Sequence, residues 1–145
     1  MVHLKPVTQD NYYDCLQLKR EETRFVGNAC DVIADAYIYR ETSLAYAIYH
    51  EEDIIGLVIL GEQGKEQSYE FTNLFIADDY RNQGFGEKTV KAIIHHFIEK
   101  NAKYIRLQVH KSNEVAVHIY QKCGFLIKGA SKWDADFWVM EMVLT

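Results

Sequence analysis

The chain has 145 residues, 48% hydrophobic and 26% charged, with a formal net charge of −5, a size and balance expected of one globular domain over residues 1–145 with a real core. The acidic balance and the lack of any Lys/Arg cluster speak against a nucleic-acid partner, and no apolar run approaches a membrane span. Cys15, Cys30 and Cys123 are odd in number and lack metal-ligand spacing, which predicts reduced thiols, no metal and a cytoplasmic setting; the first residues carry no apolar h-region of a secretory signal.

Val2 to Val7 reads as a short edge strand ended by Pro6 and Thr8. Asp10 is placed to cap a helix carrying Tyr12, Cys15, Leu16 and Lys19. Arg24-Phe25-Val26-Gly27-Asn28 interrupts it, and a second helix is predicted from Asp31 to about Arg40, with Val32, Ile33, Ala36 and Tyr37 on its apolar side. Leu44–Tyr49 and Ile54–Leu60, joined at His50-Glu51-Glu52-Asp53, read as a hairpin. Gly61 to Ser68 is a polar loop, and Tyr69–Ile76 is the next strand.

That strand breaks into Asp78-Asp79-Tyr80 and then Arg81-Asn82-Gln83-Gly84-Phe85-Gly86. An amphipathic helix follows at once, with Val90, Ile93, Ile94, Phe97 and Ile98 on one face. Within it, His95 and His96 read as surface or rim residues. Ile105, Leu107 and Val109 alternate on another strand. Ser112 or Asn113 caps a short helix in which Ala116, Val117 and Tyr120 share a face, and Gly124 sits at its C-terminal cap. Phe125–Lys128 and Phe137–Leu144 form a last hairpin whose tip holds Trp133, Asp134 and Asp136.

The turn at residues 81–86 is the chemically telling stretch. The first N–H groups of a helix have no intrahelical partner and the dipole adds partial positive charge there. Glycines remove the Cβ atoms that would hold a phosphate off the backbone, so an anion is the expected ligand. A Walker-type loop is excluded because no Gly-Lys-Ser/Thr ending follows. A Rossmann fingerprint is excluded by the missing third glycine and the lack of an acidic residue on Tyr104–Val109.

Arg81, Gly84 and Gly86 match the Arg/Gln-x-x-Gly-x-Gly/Ala loop of the GNAT superfamily of acetyl-CoA-dependent N-acetyltransferases. Asn113, Ala116, Tyr120, Gly124 and Phe125 match its Asn-x-x-Ala-x-x-x-Tyr-x-x-x-Gly-Phe block. The chain therefore resembles that superfamily over nearly its whole length. Propensity alone predicts α/β or α+β on a single sheet. The resemblance implies a GNAT-like mixed, twisted sheet with helices on both faces, in the order β-α-α-β-β-β-α-β-α-β-β.

The resemblance further implies acetyl-CoA as cosubstrate. Strands Tyr69–Ile76 and Tyr104–Val109 would splay, with the backbone of Leu74, Phe75 and Ile76 pairing with the pantetheine arm. The loop Arg81, Asn82, Gln83, Gly84, Phe85 and Gly86, with Glu87, would cradle the pyrophosphate. Asn82 stands where the family usually has glycine, and Asn tolerates positive φ. Glu87 is expected to turn its carboxylate away. Tyr120 is the candidate acid for the departing thiolate, while also fitting its helix's apolar face. Asn113 serves as an N-cap, a cofactor contact, or both.

Glu70, beside the splay, is a candidate base acting directly or through water, or else an exposed strand carboxylate; alternation puts it on the face of Thr72 and Leu74. Related polyamine acetyltransferases carry an acidic pair where Thr72 and Asn73 stand. The loop at residues 24–28 and the first hairpin resemble bacterial spermine/spermidine (diamine) acetyltransferases, which implies a small amine acceptor. A polyamine site wants separated carboxylates and an aromatic wall. Glu21, Glu22, Glu41, Glu70, Asp134 and Asp136 are available for the first, and Tyr37, Trp133 and Trp138 for the second; Glu22, Glu41, Tyr37 and Trp133 are the substrate contacts this reading selects. Other amine acceptors (a protein N-terminus, a lysine, an aminoglycoside) and a non-catalytic acetyl-CoA-binding module stand as alternatives. Family members often dimerise, so a homodimer is the oligomer to test.

Overall fold

The computed structural model describes residues 1–62 and 66–144. The elements are β1 (Val2–Pro6), α1 (Tyr12–Leu16), α2 (Ala29–Ile38), β2 (Ser43–His50), β3 (Asp53–Glu62), β4 (Ser68–Ile76), α3 (Phe85–Glu99), β5 (Tyr104–His110), α4 (Glu114–Lys122), β6 (Leu126–Ala130) and β7 (Phe137–Val143). A single 3₁₀ turn, Asp78–Tyr80, joins β4 to the loop before α3. The order is the one expected from the resemblance. Gly61–Glu62 belong to β3 and Ser68 opens β4, so the expected loop is shorter; its middle, residues 63–65, lies outside the described residues.

The seven strands form one sheet in the order β1-β2-β3-β4-β5-β7-β6. Every neighbouring pair is antiparallel except β4 and β5, which run parallel. β1 pairs only with β2, so Pro6 sits on an edge where its missing N–H costs nothing. Helices cover both faces. On one, Cys15, Ala29, Val32 and Ala36 pack against Ala45, Ala47, Leu57, Ile59 and Phe75. On the other, Phe85, Val90, Ile93, Phe97 and Tyr120 pack against Ile48, Val58, Leu60, Phe71, Ile105, Leu107 and Met140.

Several local expectations are corrected. Asp10 does not cap α1. Asn11 occupies that place, and its side chain instead accepts from the Thr8 N–H and donates to Pro6 O, tying down the end of β1. The helix then closes after five residues, leaving Lys19 outside. α2 starts earlier than Asp31, because Asn28 and Asp31 form a reciprocal capping box. Tyr37 falls on its outer side, 62% exposed, and Ile98 is half exposed at the end of α3.

Two irregularities shape β3 and β4. Leu57 pairs with Phe75 but Ile59 with Thr72, so β4 carries an extra residue at Asn73, whose φ is 54°. Such a bulge bends its strand and reverses the faces beyond it. Phe71 therefore faces α3 and α4, whereas Phe75 faces α1 and α2, and Leu74 and Ile76 return to the side of Phe71. The expected shared face of Glu70 with Leu74 is overturned for this reason; Glu70 keeps company only with Thr72. Next to the bulge, where Gly56 pairs with Ile76, a Cβ on Gly56 would overlap Phe75 O, so only glycine lets the two backbones approach.

Candidate active site

The parallel pairing of β4 with β5 covers only Ser68–Tyr104, Tyr69–Ile105 and Glu70–Arg106. Beyond Glu70 and Arg106 the strands diverge, because the Asn73 bulge turns β4 while β5 stays in register with β7 to His110. The fork leaves one side of the β4 backbone open at Leu74, Phe75 and Ile76. A cavity of about 520 Å³ fills it, walled by β4 from Glu70 to Leu74, β5 from Leu107 to His110, and Tyr120, Asn113 and Ala116 at or beside α4. Phe25, Val26 and Gly27 of the α1–α2 loop, Asp35 of α2, and Asp134 and Phe137 of the last hairpin complete it. A second cavity of about 170 Å³ adjoins it. Arg20, Glu22, Leu74, Phe75, Ile76, Arg81 and Asn113 are among its walls, and Phe25, Val26, Leu74 and Asn113 line both.

The loop entering α3 has the expected backbone. Asn82 has φ 61° and Gly84, at the N-cap, φ 81°. A Cβ at Gly84 would meet no protein atom within 4 Å, so the bend opens on free space beside unpaired N–H groups. A helix N-terminus left open in this way can accept an anion. Phe85 is buried and its ring packs against His50 and Tyr80, so only its main chain serves the loop. Gln83 Nε2 donates to Asp79 O, bracing the turn. Arg81 stands 4.0 Å from Asp78 and keeps its guanidinium half exposed at the smaller cavity. Glu87 turns away as expected: its Oε1 lies 3.0 Å from Lys122 Nζ, and that partner holds its carboxyl below the usual range.

Tyr120 is 9% exposed, with its ring edge-on to Phe71 at 5.7 Å and to Phe125 at 6.1 Å. Its place follows from the end of α4. Gly124, at φ 109°, lets Phe125 N–H reach back to Tyr120 O and its own N–H to Gln121 O, a Schellman closure. The Tyr-x-x-x-Gly-Phe spacing thus fixes the backbone that carries the phenol. Burial, with Cys123 as a lesser cause, pushes the phenol well above its ordinary pKa, so it stays protonated. At the start of α4 the Asn113 side chain accepts from Ala116 N–H, and the same residue lines both cavities.

Of the residues predicted from sequence, the fork gathers Glu70, Leu74, Phe75, Ile76, Arg81, Asn113 and Tyr120, with Glu22 at the smaller cavity. Tyr37, Glu41 and Trp133 line neither. The Tyr37 ring lies against Arg40, and Trp133 is 91% exposed. Arg20, Asp35 and His110 line these cavities as well, without a motif in the sequence to single them out. Asp35 was within reach, since it stands one turn after Asp31 of the capping box; the other two depend on how a loop and a strand end fold back. Among the described residues no group of His, Cys, Asp and Glu is arranged to hold a metal, and no helix is long and apolar enough to cross a membrane.

The sheet is thus mixed and forks between two parallel strands, and α3 begins at a glycine-opened N-terminus. Residues 12–125 match the family described as "Acetyltransferase (GNAT) family", and the chain belongs to that family. It is an acyltransferase with acetyl-CoA as donor. The spermine/spermidine N(1)-acetyltransferase of Bacillus subtilis (strain 168) is 28% identical over 147 aligned residues, covering 93% of this chain and 94% of that protein. The spermidine N-acetyltransferase of Vibrio cholerae, solved with CoA and spermine, superposes with a TM-score of 0.78 at 19% identity, over 98% of this chain and 95% of that one. An aminoglycoside acetyltransferase solved with coenzyme A superposes with a TM-score of 0.80 at 18% identity, over 99% and 95%. At those identities the two structures share the fold, and the fold alone does not choose between their acceptors.

Proposed function

We propose that this acetyltransferase transfers the acetyl group to a primary amine of a polyamine such as spermine or spermidine. The observation that carries this reading is the cavity at the fork, which is lined by Tyr120 and by the carboxylate residues Glu70, Asp35 and Asp134. Among the described residues no Lys or Arg side chain lines it, so the wall favours a ligand with more than one positive charge. The relative that acts on spermine and spermidine spans nearly the full chain.

In this reading the open backbone of Leu74, Phe75 and Ile76 pairs with the pantetheine arm. The amides of Asn82 to Gly86, with Arg81, hold the pyrophosphate. Glu70, at the root of the fork, takes the proton from the acceptor's ammonium, directly or through a water. The freed amine nitrogen forms its bond to the acetyl carbon as the carbon–sulfur bond breaks. The Tyr120 O–H gives its proton to the departing sulfur, which a protonated phenol can do and a phenolate cannot. The acetylated nitrogen then sheds its second proton, which restores the phenol directly or through a water, while Glu70 passes its proton to solvent.

The test is an amine panel read by thiol release, with spermine, spermidine, a lysine peptide, a protein N-terminal peptide and an aminoglycoside, each with saturating acetyl-CoA. Spermine or spermidine should give the highest kcat/KM by at least about tenfold. A higher value for the aminoglycoside or a peptide would replace the polyamine. Acetyl-CoA binding with no thiol release for any amine would overturn the reading in favour of a binding module.

A further inference from the structure

We propose that Asp35, aimed by Asn73, reads the cation of the acceptor that does not react, and so restricts the enzyme to amines carrying a second positive charge. The inference rests on the assignment of the fork cavity to the amine.

Asn73 is the extra residue of β4, in the left-handed region at φ 54°. Its Nδ2 donates to Asp35 Oδ2 at 2.8 Å, across from strand to helix. That amide nitrogen can only donate, so the bond fixes one carboxylate oxygen and orients the other. Among the described residues Asp35 has no cationic partner, yet it lines the cavity. The β4 residues at its level, Thr72, Asn73 and Leu74, are uncharged. Negative charge there is supplied from α2.

The neighbouring groups divide the work. α2 lies on the face of the sheet opposite α3 and α4, so Asp35 and Tyr120 approach the cavity from its two sides. The attacking nitrogen must be neutral when it reacts beside Tyr120. A fixed carboxylate on the other side has use for a nitrogen that keeps its charge. The cavity's one basic ring, His110, accepts the Ser112 N–H at Nδ1. Its neutral form therefore carries the proton on Nε2 and offers an ammonium no lone pair.

Asp35→Asn separates recognition from structure. The new amide oxygen still accepts from Asn73, so the strand-to-helix bond stays while the charge goes. KM for spermidine should rise roughly 10- to 100-fold, the worth of one hydrogen bond to a charged group, with KM for acetyl-CoA and the melting temperature unchanged. With a monoamine acceptor of similar length, kcat/KM should match wild type. Asn73→Gly keeps the positive φ without strain and removes only the aiming amide. It should raise KM for spermidine roughly 3- to 10-fold, and add nothing in the Asp35→Asn background. A spermidine KM within twofold of wild type in Asp35→Asn, or an equal loss on the monoamine, overturns the role given to Asp35 while the polyamine reading survives. Wild-type enzyme that prefers the monoamine, or turns over no amine, overturns both.

Discussion

The Arg20 guanidinium lies over the Phe75 ring, 4.1 Å from its centroid. A cation from the segment after α1 thus caps the strand that forms one arm of the fork. The same group gathers the loop over the cavity: Nη1 donates to Gly27 O at 3.0 Å, and Nη2 to Glu22 O at 2.9 Å and Val26 O at 3.1 Å. A lysine keeps the charge but not the planar fork that serves three carbonyls and stacks on a ring. Arg20→Lys should cost about 2–3 kcal/mol, or roughly 5–10 °C in melting temperature for a domain of this size. KM for acetyl-CoA and for the amine should rise together, since Phe25 and Val26 line both cavities. Thermal melts and steady-state kinetics check it; an unmoved melting temperature would mean the loop is held by other contacts.

Tyr120→Phe keeps the edge-on contacts with Phe71 and Phe125 and removes only the hydroxyl. Its helix cap is main chain and is untouched. The melting temperature should stay within about 2 °C and the acetyl-CoA dissociation constant within about threefold. Turnover should fall by roughly 10²–10⁴, the range for losing a positioned proton donor. Equal loss in cofactor affinity would instead make Tyr120 a packing residue of the site.

Much of this arrangement was legible in the sequence because it depends on local chemistry. Gly84 and Asn82 announce a left-handed bend, Asn113 a cap and Gly124 a Schellman closure, and each does what its residue type favours. The amphipathic pattern of α3 gave its buried face down to Phe97. What stayed hidden arises from long-range register. The Asn73 bulge is marked only by one asparagine inside a strand run, with no glycine or turn motif beside it, yet it decides that Glu70 and Leu74 point to opposite faces. Asp35 meets that bulge through the Asn73 amide, a contact between residues 38 apart in the chain. Tyr37, Glu41 and Trp133 are the chemical types a cation site favours, but residue type carries no information on which way a helix's outer face or a hairpin tip is turned.

At the mouth of the fork, conformation and space can be separated. Asn82→Gly should leave stability and acetyl-CoA affinity near wild type, because glycine accepts φ 61° freely. Asn82→Ala should cost about 1–2 kcal/mol from the left-handed backbone alone. Gly84→Ala meets the same backbone penalty without a protein clash, since among the described residues no atom beyond its chain neighbours lies within 4 Å of its added methyl. Any further loss, seen as acetyl-CoA binding weakened at least about tenfold by calorimetry, comes from a methyl in the space assigned to the diphosphate. Gly84→Trp should abolish binding. Full affinity in Gly84→Trp would remove the bend from the cofactor site.

Stability should fall at alkaline pH through two buried groups, in separable windows. Burial, with Asp14 as a second cause, pushes the Cys15 thiol from 9.0 up to about 11. Above about pH 9 the unfolded chain releases that proton while the native state keeps it, so the native state binds more protons and stability declines as pH rises. The contribution is whole below pH 9 and is lost by the time pH passes about 11. The slope is at most about 1.4 kcal/mol per pH unit for one group. Tyr120, also raised, adds the same sign of slope, beginning only near its unfolded value of 10.0. Urea melts from pH 8 to 11 on wild type, Cys15→Ala and Tyr120→Phe should show the first variant flatter between pH 9 and 11 and the second flatter only above pH 10. Cys123, whose thiol burial also raises, is present in all three proteins, so the differences in slope isolate the substituted group. Parallel curves for wild type and Cys15→Ala would mean that water reaches the thiol beneath α1 and that this helix opens well before the sheet does.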